Sequence, residues 1–495
     1  MFLIPVIIFA ILICLLYKYA TLQHDFFAKR GIKFLKPLPL LGSNWRPAFG
    51  FASYFDFYRD TYTEFSGETV FGAFDLTKPV FMIRDLELVK QITIKNFDHF
   101  VNRRITIDVS CDPVGGRMMA FMHDDHWRTM RTTLSPAFTG NKMRYYFHLI
   151  TECADRTMEY VDMEMEKNNR NGLKIETYDF FTRITNDLIA STAFGIEEKS
   201  FHDKGNEFYK LGRKLNEFGM GFFFKWMFFS VAPTVGKFLS LKMFDKHATD
   251  YFTTIIKDDL EQRNNKKFSR PDLLQIFLEA DVPLEDIIGQ SIQIFAAGFD
   301  TSAILFQFTA YELALHPEIQ QKLTAEIDKV RENLKGKPLT YEIVQEMKYA
   351  DKVIKESIRL HPALTWIERA CTKPVTLTDS NGRDLHLEVG DHCVMPASGF
   401  HYDAKHFPDP EKFDPERFEG ETNSAFMGFG LGPRKCMAGR LGIIQAKIFF
   451  YNILSKYQFE VNEMTAIPMK YRKGLAFLRA DKDLWLDLKP RDDVL

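Results

Sequence analysis

Phe426-Met427-Gly428-Phe429-Gly430-Leu431-Gly432-Pro433-Arg434-Lys435-Cys436-Met437-Ala438-Gly439 is a glycine-rich loop that runs into residues 440–454, an apolar stretch at helical spacing. The loop delivers Cys436 to a helix N-terminus. There the helix dipole and free backbone N–H groups favour a thiolate, and Arg434, Lys435 and Arg440 add positive charge. That is a setting for a metal-bound sulfur, with a buried structural cysteine as the alternative. Gly430 and Gly432 are expected to let the backbone approach a flat ligand, in conformations that side chains resist. A nucleotide loop does not fit. Pro433 or Lys435 stands where the third glycine of G-x-G-x-x-G belongs, and no Lys-Ser or Lys-Thr follows.

Working outward, residues 284–315 read as one helix of about 48 Å at 1.5 Å per residue. Ala297-Gly298-Phe299-Asp300-Thr301-Ser302 lies near its middle. A glycine and an acid in an apolar helix conflict with their surroundings. Gly298 weakens the helix, and Thr301 is expected to bond the carbonyl of Ala297, which together open a groove for oxygen and water. Glu356 and Arg359 stand at i and i+3 on one helical face, and Trp127 and Arg131 at i and i+4, the latter two both donors suited to a carboxylate. Long amphipathic patterns also cover residues 141–167, 318–332 and 341–360, with stops at His316-Pro317 and His361-Pro362. β-Prone runs predict a hairpin over 69–83 and short strands within 375–394 and 475–488. The fold class is mainly α with a minor β region.

The loop resembles the haem-binding signature of the cytochrome P-450 family, F-x-x-G-x-R-x-C-x-G. Phe429, Gly432, Arg434 and Cys436 match, while Ala438 stands where glycine is usual. The A/G-G-x-D/E-T-T/S, E-x-x-R, P-E-R-F and W-x-x-x-R patterns match in order, so the resemblance covers the chain from anchor to C-terminus. It implies a single haem-thiolate fold with haem b on the Cys436 thiolate, which pushes electron density onto the iron. It further implies Asp300 and Thr301 as catalytic proton donors. Arg103, Trp127, Arg131, Ala297, Arg369, Phe429 and Arg434 are implied to bind the cofactor. The resemblance also implies that Glu356, Arg359 and Arg417 fix the proximal side structurally and that Phe299, Ala363, Leu364 and the Gly474-Leu475 turn border the substrate.

Composition bounds the rest. Across 495 residues, 64 Lys and Arg against 66 Asp and Glu leave two net negatives, which excludes nucleic-acid binding driven by bulk charge. At 46% hydrophobic and 26% charged, the chain is neither disordered nor polytopic. Forty-eight Phe point to a bulky interior, a greasy cavity or membrane contact. Six cysteines without knuckle spacing suggest neither a zinc ribbon nor a disulfide framework.

Residues 2–17 carry no charge and nearly span a bilayer of about 30 Å. A retained anchor fits better than a signal peptide, since a basic start and a small-x-small cleavage site are missing. Lys18, Lys29, Arg30, Lys33 and Lys36 against Asp25 place the body in the cytosol by the positive-inside rule. The expected organisation is an anchor over 1–20, a basic and Pro-rich linker over 21–45, and the haem-thiolate domain over 46–495. FFFKWMFF at 222–229 is expected to touch lipid or roof a cavity.

The resemblance then implies a monooxygenase of the endoplasmic reticulum membrane that acts on lipophilic small molecules, xenobiotic or endogenous. Electrons come from NADPH through a flavoprotein reductase, with cytochrome b5 as a further carrier, and Arg128, Lys435 and Arg440 offer a basic docking face. Two alternatives stand beside it: a haem-thiolate isomerase or dehydratase acting on a peroxide, and a non-catalytic haem or lipid binder.

Overall fold

The computed structural model describes residues 3–203, 205–217, 221, 225, 229, 233–266, 272–420 and 423–492. The aromatic stretch 222–229 lies outside the described residues save Lys225 and Phe229, as do residues 267–271.

Leu284–Leu315 forms one uninterrupted helix of 32 residues, as its apolar pattern predicts. Most of its side chains are buried, so its stability comes from packing on all sides rather than from one amphipathic face. It lies against Thr177–Phe194, itself almost wholly buried, and against Lys348–Leu360. Gly140–Lys167 and Gly439–Leu454 join the same core, which contains Phe181, Phe306, Phe449 and Phe450. A second core beneath Leu284–Leu315 holds Phe194, Phe208, Phe252, Phe295 and Phe299, their rings 4.6 to 6.1 Å apart where they pair. The many Phe are therefore largely interior.

The expected hairpin forms from Val70–Asp75 and Lys78–Ile83, with Pro79 opposite Phe74. It extends into a four-stranded sheet in the order Val70–Asp75, Lys78–Ile83, His392–Met395, Ile367–Ala370, in which only the central pair is parallel. Residues 375–394 yield three strands, Val375–Thr378, Asp384–Leu387 and His392–Met395. Of the run 475–488, only Trp485–Pro490 becomes a strand. The part before it attaches through the single bridges Leu364 to Phe477 and Tyr471 to Ala480.

Two boundaries differ from expectation. The 341–360 pattern is broken at Met347 into Tyr341–Glu346 and Lys348–Leu360. Glu326, from the Pro317–Leu334 helix, caps the second piece, accepting from the N–H groups of Tyr349 at 2.8 Å and Ala350 at 2.9 Å. Residues 21–45, expected as a basic and Pro-rich linker, pack against the sheet. Phe27 is fully buried against Phe74 and Phe81, and Gly72 leaves room for its ring. Ser43 donates its N–H to Phe74 at 2.7 Å and accepts from Phe74 N at 3.0 Å. The stretch is thus part of the sheet's packing. Leu3–Thr21 is a helix long and apolar enough to cross a membrane, with its side chains turned outward.

Candidate haem-thiolate site

Between the Leu284–Leu315 helix, the cysteine loop and the sheet lies a cavity of about 690 Å³. The cysteine loop forms one wall. Gly430 at φ 73° and Gly432 at φ 68° take the left-handed turns that glycine permits. At Gly432 the close neighbour is protein: a Cβ there would meet the Thr93 carbonyl oxygen at 1.8 Å. Its role is therefore to seat the loop on residues 91–95, which corrects the expectation of a ligand at that glycine. Cys436 donates its N–H to Phe429 O at 2.8 Å, and its thiol opens onto the cavity. Burial pushes that thiol up. The N–H groups of Ala438 and Gly439 and the charges of Arg131 and Arg103 pull it down, so the surroundings favour a thiolate while the lack of solvent opposes it.

Arg103, Arg131, Arg369 and Arg434 all line this cavity, and none has a carboxylate within ion-pair reach among the described residues. Arg434 donates to the carbonyls of Val101 at 2.8 Å and Met122 at 2.9 Å, and its guanidinium sits 4.1 Å from the Trp127 ring centre. Arg131 donates to Lys435 O at 2.9 Å, one turn from Trp127, as the i, i+4 spacing requires. Arg369 donates to Leu431 O at 3.1 Å, and its Nε is buried without a partner. Burial, then the neighbouring guanidinium groups, lower Arg434 to about 8, and Arg369 falls to about 9 for the same reasons. A positive cluster held out of water demands anions. The carboxylates of a flat dianionic macrocycle ligated through Cys436 satisfy that demand, so these residues fit haem.

On the opposite wall stand Ala297, Gly298, Thr301 and Ser302. Thr301 donates to Ala297 O at 2.6 Å, as its spacing predicts. Asp300 does not reach the cavity. One residue along a helix rotates a side chain by about 100°, and its carboxylate instead accepts from Tyr178 Oη at 2.7 Å and pairs with Arg479 at 2.9 Å. The same rotation carries Phe299 into the aromatic core, away from the position expected of it beside the substrate. Ala363 and Leu364 do line the cavity. Leu475 does not, although its neighbours Gly474, Ala476 and Phe477 do.

Glu356 and Arg359 are fully buried and bidentate, both contacts at 2.7 Å, and Arg417 lies 3.3 Å from Glu356. Arg359 also donates to His401 O and Pro410 O at 2.8 Å. His401 completes the link to the cysteine loop. Its Nδ1 lies 3.0 Å from Arg359 O, and its Nε2 accepts the Met427 N–H at 2.8 Å. No spacing rule singles out His401, which stands more than forty residues from Arg359 along the chain.

A mainly helical fold around a cavity with one thiol, an arginine cluster and a helix-borne hydroxyl defines a haem-thiolate protein. The comparisons agree. The sequence model of cytochrome P-450 matches residues 33–486. Probable cytochrome P-450 9f2 of Drosophila melanogaster is 36% identical over 98% of this chain and 99% of its own length. Cytochrome P-450 9e2 of Blattella germanica is 33% identical over 97% and 96%, and cytochrome P-450 3A41 of Mus musculus 32% over 99% and 97%. The chain belongs to the cytochrome P-450 family, and thus to the haem-thiolate monooxygenases.

Proposed function

We propose that this chain inserts one oxygen atom from dioxygen into lipophilic small molecules, xenobiotics or endogenous lipids and hormones, with electrons from NADPH carried by a flavoprotein reductase. Cytochrome b5 is a second carrier. The enzyme sits in the endoplasmic reticulum membrane on its N-terminal helix, with the catalytic domain in the cytosol. The observation that carries this reading is the convergence of Cys436, the unpaired arginines and Thr301 in one cavity whose remaining walls are largely apolar.

Haem, when bound, supplies the iron at which dioxygen is activated. Cys436 would be its thiolate ligand, Arg103, Trp127, Arg131, Arg369 and Arg434 would hold its carboxylates, and Phe429 and Ala297, which line the same cavity, would pack beside it. Among the groups that bear a proton on the cavity wall, Thr301 Oγ1 is the one assigned to proton transfer. Asp300, tethered by Tyr178 and Arg479, acts through the helix that carries both residues and is a positioning residue in this conformation. Phe121, Phe244 and Phe477 exclude water and match an apolar ligand. Glu356, Arg359, Arg417 and His401 keep the cysteine loop in register. Arg440 and Lys435 are exposed and offer a basic face to an acidic reductase, with Arg128 half engaged by Asp98 at 2.7 Å. Thr301 on the cavity wall favours this reading over an isomerase or dehydratase, which consumes no external protons or electrons.

The test is hydroxylation of a lipophilic alkylbenzene to its alcohol by full-length enzyme with reductase and NADPH under oxygen-18 gas. One labelled atom per product is expected. Product that forms equally without NADPH, or that carries oxygen only from water, would overturn the proposal.

A further inference from the structure

The cavity does not end at the arginines. It continues onto one face of the four-stranded sheet, where Ala73 stands opposite Val80, Val80 opposite His392, Met82 opposite Val394, and Val394 opposite Glu368. Alternation along each strand puts all of these side chains on the same face. The Tyr54–Glu64 helix covers it with Tyr54, Phe57 and Tyr58, spaced at i, i+3 and i+4. Trp366, two residues before Glu368, closes the chamber with its ring centre 5.3 Å from Tyr54 and 5.2 Å from Tyr58.

This chamber holds more hydrogen-bonding capacity than the protein uses. The hydroxyls of Tyr54 and Tyr58, Nε1 of Trp366 and the carboxylate of Glu368 have no hydrogen-bond partner among the described residues. His392 Nδ1 is buried without one. The chamber's other carboxylate, Asp75, is engaged by Arg104 and by Asn44 at 3.1 Å. Burial raises both tyrosines, so they remain donors, and it lowers His392 to about 3, so the imidazole adds no charge. Polar groups lining a water-poor space gain from any ligand that pairs with them. Three donors and one carboxylate acceptor between aromatic walls match a neutral hydroxyl, whose oxygen accepts from a phenol or the indole while its proton goes to Glu368. A cationic head would meet Arg103, Arg104 and Arg369, each within electrostatic reach of Glu368, and an anionic head would meet Glu368 itself.

We propose that this chamber is a subsite for the hydroxyl head of an amphipathic ligand, a phenol or an alcohol, whose apolar body extends past Leu364 and Phe477 into the main cavity. That such a ligand is a substrate rests on the monooxygenase reading above; that it binds here rests on the chamber. The test is equilibrium dialysis of the full-length holoenzyme against 4-pentylphenol and pentylbenzene, two probes that differ only in the hydroxyl. A hydroxyl buried without partners weakens binding, whereas in this chamber the phenol binds at least as tightly as the hydrocarbon. Glu368→Gln and Tyr54→Phe, on separate elements, are each expected to weaken the phenol about tenfold and leave pentylbenzene unchanged, which also reports that the cavity is intact. Wild-type enzyme that binds pentylbenzene tenfold tighter than the phenol overturns the subsite. So does phenol affinity that survives both substitutions, or a loss of both probes together in both variants. The carbon monoxide spectrum of the same samples separates the two claims. Its failure in the wild type refutes the haem-thiolate reading, while an intact spectrum with unaltered phenol binding refutes the subsite alone.

Discussion

Thr301 and Asp300 are neighbours in sequence, but only Thr301 faces the cavity, so the two should respond differently to substitution. Thr301→Val keeps the shape and removes the hydroxyl. Product formed per NADPH consumed should fall by about tenfold or more with little change in substrate affinity, and an unchanged yield would remove Thr301 from the proton route. His401 makes a prediction in pH. Its folded value is held at about 3 by burial and then by the charge of Arg359, against an ordinary 6.5. Above pH 6.5 both states are neutral and nothing is lost. As the pH falls from 6.5 toward 3, the unfolded chain binds a proton that the folded one excludes, and stability drops by about 1.4 kcal/mol per pH unit. Unfolding midpoints of wild type and His401→Gln between about pH 4 and 7 should show a shallower acid limb in the variant; parallel limbs would contradict the assignment. That Cys436, Arg434 and Thr301 would line one cavity was legible because local spacing sets their direction. Phe299 and Asp300 were misplaced because the motif names positions and not helix rotation, and here the aromatic core and Arg479 claim those two faces.

The elements that hold the site are coupled through buried charge. Glu356 and Arg359 are both fully buried, and removing one leaves the other uncompensated. Glu356→Ala should therefore destabilise the domain by about 3–5 kcal/mol, measured by denaturant unfolding of the holoenzyme. A loss below about 1 kcal/mol would mean that Arg359's carbonyl partners at His401, Pro410 and Lys412 suffice alone. At this scale the long helix was legible from its uninterrupted apolar run and its Pro317 stop. The break at Met347 was not, because the cap is a carboxylate from another helix and no local pattern in 341–360 announces it. The sheet's inward face was also hidden, since it depends on strand pairing across some three hundred residues.

For the whole molecule, Phe27 and Ser43 pack onto the sheet, so the tertiary contacts of the folded body begin soon after the apolar N-terminal helix ends at Thr21. Removing residues 1–18 should leave the haem spectrum intact and weaken membrane sedimentation, whereas removing 1–45 should strip Phe27 from the core and cost folded protein. Equal folded yield from both truncations would contradict that boundary. The basic and Pro-rich composition of 21–45 did not announce this docking, which rests on tertiary bridges such as Phe34 to Gly72 and Gly42 to Asp75.

The central claim is that Cys436 ligates haem as a thiolate in this cavity. Its most direct measurement is the carbon monoxide difference spectrum of the reduced, haem-loaded protein beside that of Cys436→Ala. The account predicts a strongly red-shifted Soret band in the wild type and its loss in the variant. A folded, haem-loaded wild type without that band, or a variant that keeps it, would contradict the account.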